Sequence, residues 1–473
     1  MTVEIAGKDL TLDQVVAVAR GGDHVALTEE ALDAMTQASS LAERVFERGL
    51  PAYGLTTGLG AQKRTSLHRD DDTFGRRQIE ESHVGQGPDA PPDVVRATML
   101  VLANQFAGGS TCVRPVLAER LVQALNEGES PPVKLLGSLG ASDLAPMADL
   151  ARGVLGEAPL APGEGLALIN SSAFGTALAA LALADMARLL DAADVAAALA
   201  LEGFAANLST LDPAVARARP DPVLARTLER FRDLLEGSRL WAEGVARNLQ
   251  DPLTFRSTLP IQAAGRVALD HALDRLAIEL NAAQGNPLVS VQEGRIFSAS
   301  VYEVLALSAA LDYARTALMS VLSSASERSV KLLDTPWSGL PTGLLSKGGP
   351  DLGLSIHAIT AQSLAAEASL LAQPASFLVM STSGAEGIED RASHLALSAR
   401  RLSEMVALGE GIVAIELLVS AQAVDLRDAR PLGKVTGEAH GRIRASIPAL
   451  VAGDPPPTDV TPILALLRSG VIR

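Results

Sequence analysis

Aromatic side chains are scarce: they make up only 3% of 473 residues, as two Trp, three Tyr and nine Phe. The core must therefore be aliphatic, built mainly of Ala, Leu and Val within a hydrophobic fraction of 48%. Ala and Leu are the best helix formers, so the shortage of aromatics tilts the expectation towards a mostly α protein. Cysteine is nearly absent. Cys112 alone excludes an internal disulfide and a cysteine-rich metal site, and fits a reducing cytosol. The seven histidines are dispersed and no pair has ligand spacing, so no metal is expected. Positive charge is in deficit, 40 Lys and Arg against 55 Asp and Glu, for a net charge of −15. Such a surface repels phosphate backbones, and nucleic acid is not an expected partner. An uninterrupted apolar run is also missing. The most apolar stretch, Phe174 to Leu201, carries Asp185, Arg188, Asp191 and Asp194, which suits a buried bundle helix rather than a membrane span. No basic segment leads into an apolar run at the N-terminus, so the expectation is a soluble, cytoplasmic protein without a membrane partner.

The chain is long enough to bury an extensive core. Residues 1–165 are punctuated by Gly and Pro and read as an N-terminal domain of loops and short helices, among them Glu29–Arg48, Pro92–Ala107 and Arg114–Gly128. Residues 166–473 change texture to long, alanine-rich periodicities and read as a central and C-terminal helical bundle. Its candidate helices are Ala173–Leu208, Pro260–Ala283, Val301–Leu333, Leu354–Gln373 and Ala392–Leu426. Pro260 suits a first helical position, where its missing N–H has no partner to lose. Strand signals are limited to pieces such as Thr2–Ile5 and Leu288–Val291. Long helices with aliphatic faces also favour oligomers, because each carries more apolar surface than one neighbour covers.

Three segments invite a chemical reading. Tyr53-Gly54-Leu55-Thr56-Thr57-Gly58-Leu59-Gly60 is a glycine-rich loop that either packs a tyrosine at the surface or delivers Tyr53 as a general base. Ser82-His83-Val84-Gly85 holds a histidine that by itself reads as structural or solvated. Gly137-Ser138-Leu139-Gly140-Ala141-Ser142-Asp143-Leu144 reads either as a tight turn capping a helix over Leu144–Leu155 or as a reactive loop.

Taken in order, these segments resemble the signature of the aromatic amino acid ammonia-lyases and aminomutases. Further matches are Leu168-Ile169-Asn170, Gln250-Asp251-Pro252 running to Arg256, Glu279-Leu280-Asn281, Asn286-Pro287-Leu288, Gln373-Pro374-Ala375-Ser376 and Glu389-Asp390. Each motif is weak alone. The ordered set, from Tyr53 to His394, is specific. The resemblance implies a mostly α ammonia-lyase-like fold, with a long central bundle and an N-terminal active-site loop domain. It also implies a homotetramer whose active sites draw residues from three subunits, and a size fitting the bacterial branch.

In that family an Ala-Ser-Gly tripeptide cyclises into an electrophilic methylidene-imidazolone, a tyrosine removes the β-proton, and an arginine holds the substrate carboxylate. Residue by residue, the resemblance implies Tyr53 as base and Ala141, Ser142 and Asp143 at the ring-forming positions. Arg256 takes the place of the carboxylate clamp, Asn170 and Gln250 those of its polar partners, and His83 and Glu389 face the substrate side chain in the histidine-type manner. The plainer alternatives are a solvated helix-end carboxylate for Glu389 and a structural ion-pair partner for Arg256.

Four departures surround the electrophile. The loop reads Ala141-Ser142-Asp143-Leu144 where the family has Ala-Ser-Gly-Asp-Leu. Leu253 replaces a family tyrosine, Val301 replaces an aromatic with Tyr302 beside it, and Arg391 replaces a histidine. Either Asp143 supplies the attacking nitrogen or no ring forms; the expectation is that no normal ring forms, and no diffusible cofactor is expected either. The leading reading is a histidine ammonia-lyase-like C–N lyase acting on an amino-acid-like substrate, with a modified or absent ring. The alternatives are a ring-independent isomerase, cyclase or addition enzyme on the same scaffold, and a catalytically silent binding subunit.

Overall fold

The computed structural model describes residues 2–67, 71, 73–156, 158–345, 351–377 and 384–473. Helix accounts for 62% of the structure, which makes the protein mostly α as its composition requires. Strands occur as three small pairs. Thr2–Ile5 runs parallel to His24–Leu27, with Val3 opposite Val25. Gln86–Asp89 is antiparallel to Lys134–Leu136, and Leu288–Ser290 to Arg295–Phe297.

The early helices lie at Glu29–Glu47, Pro92–Ala107 and Pro115–Asn126. The Thr28 hydroxyl accepts from the Ala31 N–H at 3.2 Å and starts the first of them. The later helices are Ala173–Phe204, Thr258–Leu280, Leu305–Leu333, Ser355–Leu371 and Leu395–Arg427. Their ends differ from the periodicity for local backbone reasons. Ala205 takes φ +57° and stops a helix whose pattern continues to Leu208, and His394 at φ +54° delays the last start to Leu395. Pro260 is the third residue of its helix rather than the first, still within the turn whose N–H groups have no helical acceptor.

The chain forms two compact units from discontinuous segments. One comprises Met1–Ala184, Ala272–Asp312 and Pro374–Arg400; the other comprises Asp185–His271, Tyr313–Gln373 and Arg401–Arg473. The change of texture at 165 is not a boundary of either unit. The long helices Ala173–Phe204, Thr258–Leu280, Leu305–Leu333 and Leu395–Arg427 each pass from one unit to the other.

In the first unit, Ala38, Leu41, Ala42 and Val45 pack with Ala52, Leu55, Cys112 and Val289. Ala52 and Leu55 thereby pin the loop that carries Tyr53. Two stretches, Glu164–Phe204 and Leu305–Leu333, are long and apolar enough to cross a membrane. In the first, 94% of the most apolar window is buried within the chain, as in the core helix of a bundle.

In the second unit, Arg328 and Glu416 pair with side chains 1% and 0% exposed, at 2.5 Å from Nε to Oε1 and 3.2 Å from Nη2 to Oε2. Burial raises the Glu416 carboxyl while Arg328 opposes that rise. Removing one partner strands a charge in an apolar interior. Glu416→Ala is expected to destabilise the protein by about 3–5 kcal/mol, and the double change Arg328→Met/Glu416→Leu to recover most of it. Thermal unfolding at matched protein concentration checks this; an equal loss in the single and double variants would refute it.

Candidate functional site

The loop Gly137–Asp143 is shaped by its glycines and by its neighbours in sequence space and in the fold. Gly140 has φ +81°, and a Cβ there would lie 2.3 Å from Ser393 Oγ and 2.9 Å from His394 N. Only glycine allows that approach. The contact is fixed by Ser393 Oγ donating to Gly140 O at 2.8 Å and His394 N to Leu139 O at 2.9 Å. Ser142 is held at φ +65°, a left-handed conformation unusual for serine. Its hydroxyl meets Asn170 Oδ1, and Asn170 Nδ2 donates to Asn286 O at 2.8 Å.

Asp143 is fully buried. Its amide N–H donates to Ser171 O at 2.8 Å. Its carboxyl accepts from Gly175 N at 2.7 Å, near the start of the helix Ala173–Phe204, and meets the Ser138 hydroxyl. Ser138 Oγ in turn accepts from Gly140 N at 3.0 Å. Burial pushes the Asp143 carboxyl up to about 6, against the lowering effect of Ser138 and the Gly175 N–H. Ser171, behind it, donates through Oγ to Gln105 Oε1 at 2.7 Å, and Gln105 Nε2 donates to Gln284 Oε1 at 2.9 Å. Gln105, Ser171 and Gln284 escaped the sequence reading, because none carries a distinctive residue type or spacing, and Ser138 entered it only as part of the loop, without a role of its own.

Tyr53 is half-buried, and its hydroxyl accepts from Gly60 N at 2.9 Å across its own loop. Burial raises the phenol, the Gly60 N–H lowers it, and Glu389 raises it again. Tyr302 is raised by burial first, then by Glu389 and Tyr53. Tyr53, Tyr302 and Glu389 therefore share one electrostatic neighbourhood in the first unit. His83 has a different setting. Its Nδ1 lies 2.5 Å from Oδ1 of Asp149, whose side chain is 1% exposed and whose Oδ2 accepts from Lys134 N at 2.8 Å. The Asp149 carboxylate orients the His83 ring through Nδ1. His83 lines an open cavity of about 330 Å³ with Arg76, Glu80, Asp149 and Arg152; Tyr53 is not part of its wall.

Gln250 and Arg256 belong to the second unit and are exposed. Asp251 anchors them: it is 5% exposed, accepts from Asn207 N at 2.6 Å and from Asn248 Nδ2 at 3.1 Å. Pro252 then opens the short helix Leu253–Arg256. Beside Gln250 and Arg256, Leu249 and Leu253 stand 94% and 62% exposed. Among the described residues, no group of three or more His, Cys, Asp or Glu has the arrangement of a metal site.

A model of the family described as aromatic amino acid lyase matches residues 10–445. The chain is 32% identical to a histidine ammonia-lyase of Alkaliphilus metalliredigens over 94% of its own length and 92% of the relative's. It is 34% identical to that of Symbiobacterium thermophilum, over 98% and 96%. Among solved structures it is similar to the ergothioneine-degrading enzyme ergothionase of Treponema denticola, with TM-score 0.95 and 25% identity over 100% of this chain and 99% of that one. Histidine ammonia-lyase of Trypanosoma cruzi superposes with TM-score 0.91 at 27% identity, over 100% and 94%.

The Asp143 environment has a measurable consequence. A carboxyl at about 6 when folded, against 3.8 ordinarily, binds its proton more tightly in the native state. Its contribution to stability is complete below pH 3.8 and is lost as pH rises through about 6, by roughly 3 kcal/mol. Asp143→Asn mimics the protonated acid and is expected to remove that loss. The difference between wild-type and variant melting temperatures should therefore change between pH 4 and 7. Parallel pH profiles would refute it.

Proposed function

The chain belongs to the aromatic amino acid lyase family, and from that premise we propose that it cleaves a carbon–nitrogen bond without forming the methylidene-imidazolone ring. The observation that carries this reading is the fixing of Asp143. Ring closure requires the amide nitrogen after Ser142 to attack the Ala141 carbonyl. Here that N–H is committed to Ser171 O, and the same residue's carboxyl is buried against Gly175 N. Turning the nitrogen towards Ala141 would drag a carboxyl out of its hydrogen bonds. Asp143 thus does the work of the family's aspartate, and the ring-forming glycine has no counterpart. The residues present do not fit the group.

Without an electrophile, the amine must leave by its own chemistry. An ammonium group carries N–H protons that a base removes first, leaving a neutral amine that does not depart, whereas a trimethylammonium has no N–H, keeps its charge and departs as neutral trimethylamine. The similarity to an ergothioneine-degrading enzyme supports such a substrate, because ergothioneine is a betaine of a histidine derivative. In this reading Arg256 pairs with the carboxylate, assisted by Gln250 and Asn170. Tyr53, as its phenolate, takes the β-proton; the C–H electrons form the double bond and the C–N electrons leave with trimethylamine. The Gly60 N–H supports the phenolate. His83 and Glu389 are assigned to the substrate side chain. The second reading is an ordinary histidine ammonia-lyase, favoured by sequence identities of 32% and 34% to such enzymes.

We further place the protein in the cytoplasm as a homotetramer with composite sites. The exposure of Leu249 and Leu253 beside Gln250 and Arg256 supports cover by another copy. So does the helix Ser355–Leu371, which buries only Ala361 and Ala368 while Ile356, Ile359 and Leu370 stand 53%, 61% and 67% exposed.

Intact-protein mass is expected to equal that of the translated chain; a species lighter by two waters would overturn the ring-free reading. Histidine betaine should yield trimethylamine and an unsaturated acid, while histidine yields no ammonia. Binding of both without turnover would instead identify a silent subunit. Tyr53→Phe is expected to lower kcat about 10²–10⁴-fold, and Arg256→Ala to raise KM with a smaller effect on kcat. Because burial raises the Tyr53 phenol and the base form is the phenolate, kcat/KM should climb with pH through the neutral and mildly alkaline range. A profile that falls over that range would remove Tyr53 as the base.

A further inference from the structure

A cavity of about 230 Å³ in the second unit is lined by Glu202, Ser238, Arg239, Arg247, Arg427 and Asp428, and Arg247 lies three residues before Gln250 in the chain. Two of its arginines are anchored without being neutralised. Arg427 donates from Nε to Gly203 O at 2.8 Å and from Nη2 to Ser338 O at 2.6 Å. Arg247 donates from Nη1 to Trp337 O at 2.7 Å, and its guanidinium carbon lies 5.8 Å from the centroid of the Phe204 ring. Carbonyl acceptors fix the direction of a guanidinium but leave its charge in place. Among the described residues neither arginine forms an ion pair, and the two repel each other: burial and Arg247 together bring Arg427 down to about 10.

The opposite wall holds an unused polar atom. Glu202 is 2% exposed. Its Oε1 accepts from Ser238 Oγ at 2.5 Å and from Gly433 N at 2.8 Å. Its Oε2 is buried with no hydrogen-bond partner, since the nearby Thr436 hydroxyl donates to Gly433 O at 3.1 Å. Burial raises the Glu202 carboxyl, against the lowering effect of its hydrogen-bond donors. Two guanidinium groups without an ion-pair partner and the unpaired Glu202 Oε2 surround a space smaller than that of a drug-sized ligand. Glu202 and the exposed Asp428 are the acidic groups of the lining, against three arginines.

We propose that this cavity binds a small tetrahedral oxyanion of the phosphate class through the remaining N–H groups of Arg247 and Arg427. Charge-assisted hydrogen bonds from two guanidinium groups to one anion are short and strong, and they relieve the repulsion between the arginines. The site also has a route to the segment beside it. Phe204, under Arg247, stacks on Phe255 with ring centroids 3.9 Å apart, and Phe255 precedes Arg256 in the helix Leu253–Arg256. An anion held by Arg247 therefore orders the segment from Gly244 to Arg256. The binding site itself stands whether or not Arg256 is a substrate clamp.

Titration calorimetry of the full-length protein with inorganic phosphate, at constant ionic strength, tests the proposal. Saturable binding is expected, weakened at least tenfold by Arg247→Gln and by Arg427→Gln, and unchanged by Arg256→Gln. Acetate is expected to bind at least tenfold more weakly than phosphate. Arg427 also supports two carbonyls, so Arg247→Gln carries the test if the Arg427 variant fails to fold. No saturable binding, equal affinity in wild type and Arg247→Gln, loss on Arg256→Gln instead, or acetate binding as tightly as phosphate would each overturn it.

Discussion

The buried carboxyl of Asp143 is the constraint around which the candidate site is organised. It joins the loop Gly137–Asp143 to the start of the helix Ala173–Phe204 through Gly175 N, while the same residue's amide is spent on Ser171 O. Behind it, Ser171, Gln105 and Gln284 continue the network into the interior. In front of it, Gly140 is pressed against Ser393 and His394 so closely that no side chain fits. A loop held from both sides is the basis of the ring-free proposal. The cost of freeing it is the cost of leaving buried polar groups unsatisfied.

The remaining site residues divide into groups with different physical settings. Tyr53, Tyr302 and Glu389 influence one another electrostatically, and each phenol is raised by burial and by the carboxylate. A base in that setting needs a cation nearby to become a phenolate at moderate pH. Arg256 is the cation that the family pattern offers, and it belongs to the other compact unit. His83 is oriented instead by buried Asp149. The proposed assembly and the proposed base chemistry therefore depend on each other, through the charge that Arg256 brings.

Most of the fold was legible along the chain because long aliphatic periodicities leave few alternatives to a helical bundle. Helix ends were less legible. Ala205 and His394 adopt positive φ although neither is a glycine, and nothing in their residue types announces it. The division into compact units was hidden for another reason. Both units are assembled from segments distant in sequence, whereas composition changes only once along the chain, near 165. The helix Ser355–Leu371 read as apolar and packed, yet within the single chain it buries only Ala361 and Ala368.

Sequence by itself determined the mostly α character, the family, and the absence of a glycine between Ser142 and Asp143, since these follow from composition and from the order of residues. It left open whether Asp143 supplies the attacking nitrogen or no ring forms, because a one-residue gap has no direction of its own. Only the folded chain places the groups on which the ring-free proposal rests. Hydrogen-bond partners 28 residues or more away, Ser171 O and Gly175 N, fix where the amide and the carboxyl of Asp143 point. The cavity between Arg247 and Arg427 is of the same kind. Those residues are separated by 180 positions in the chain, and only folding brings two like charges to one space.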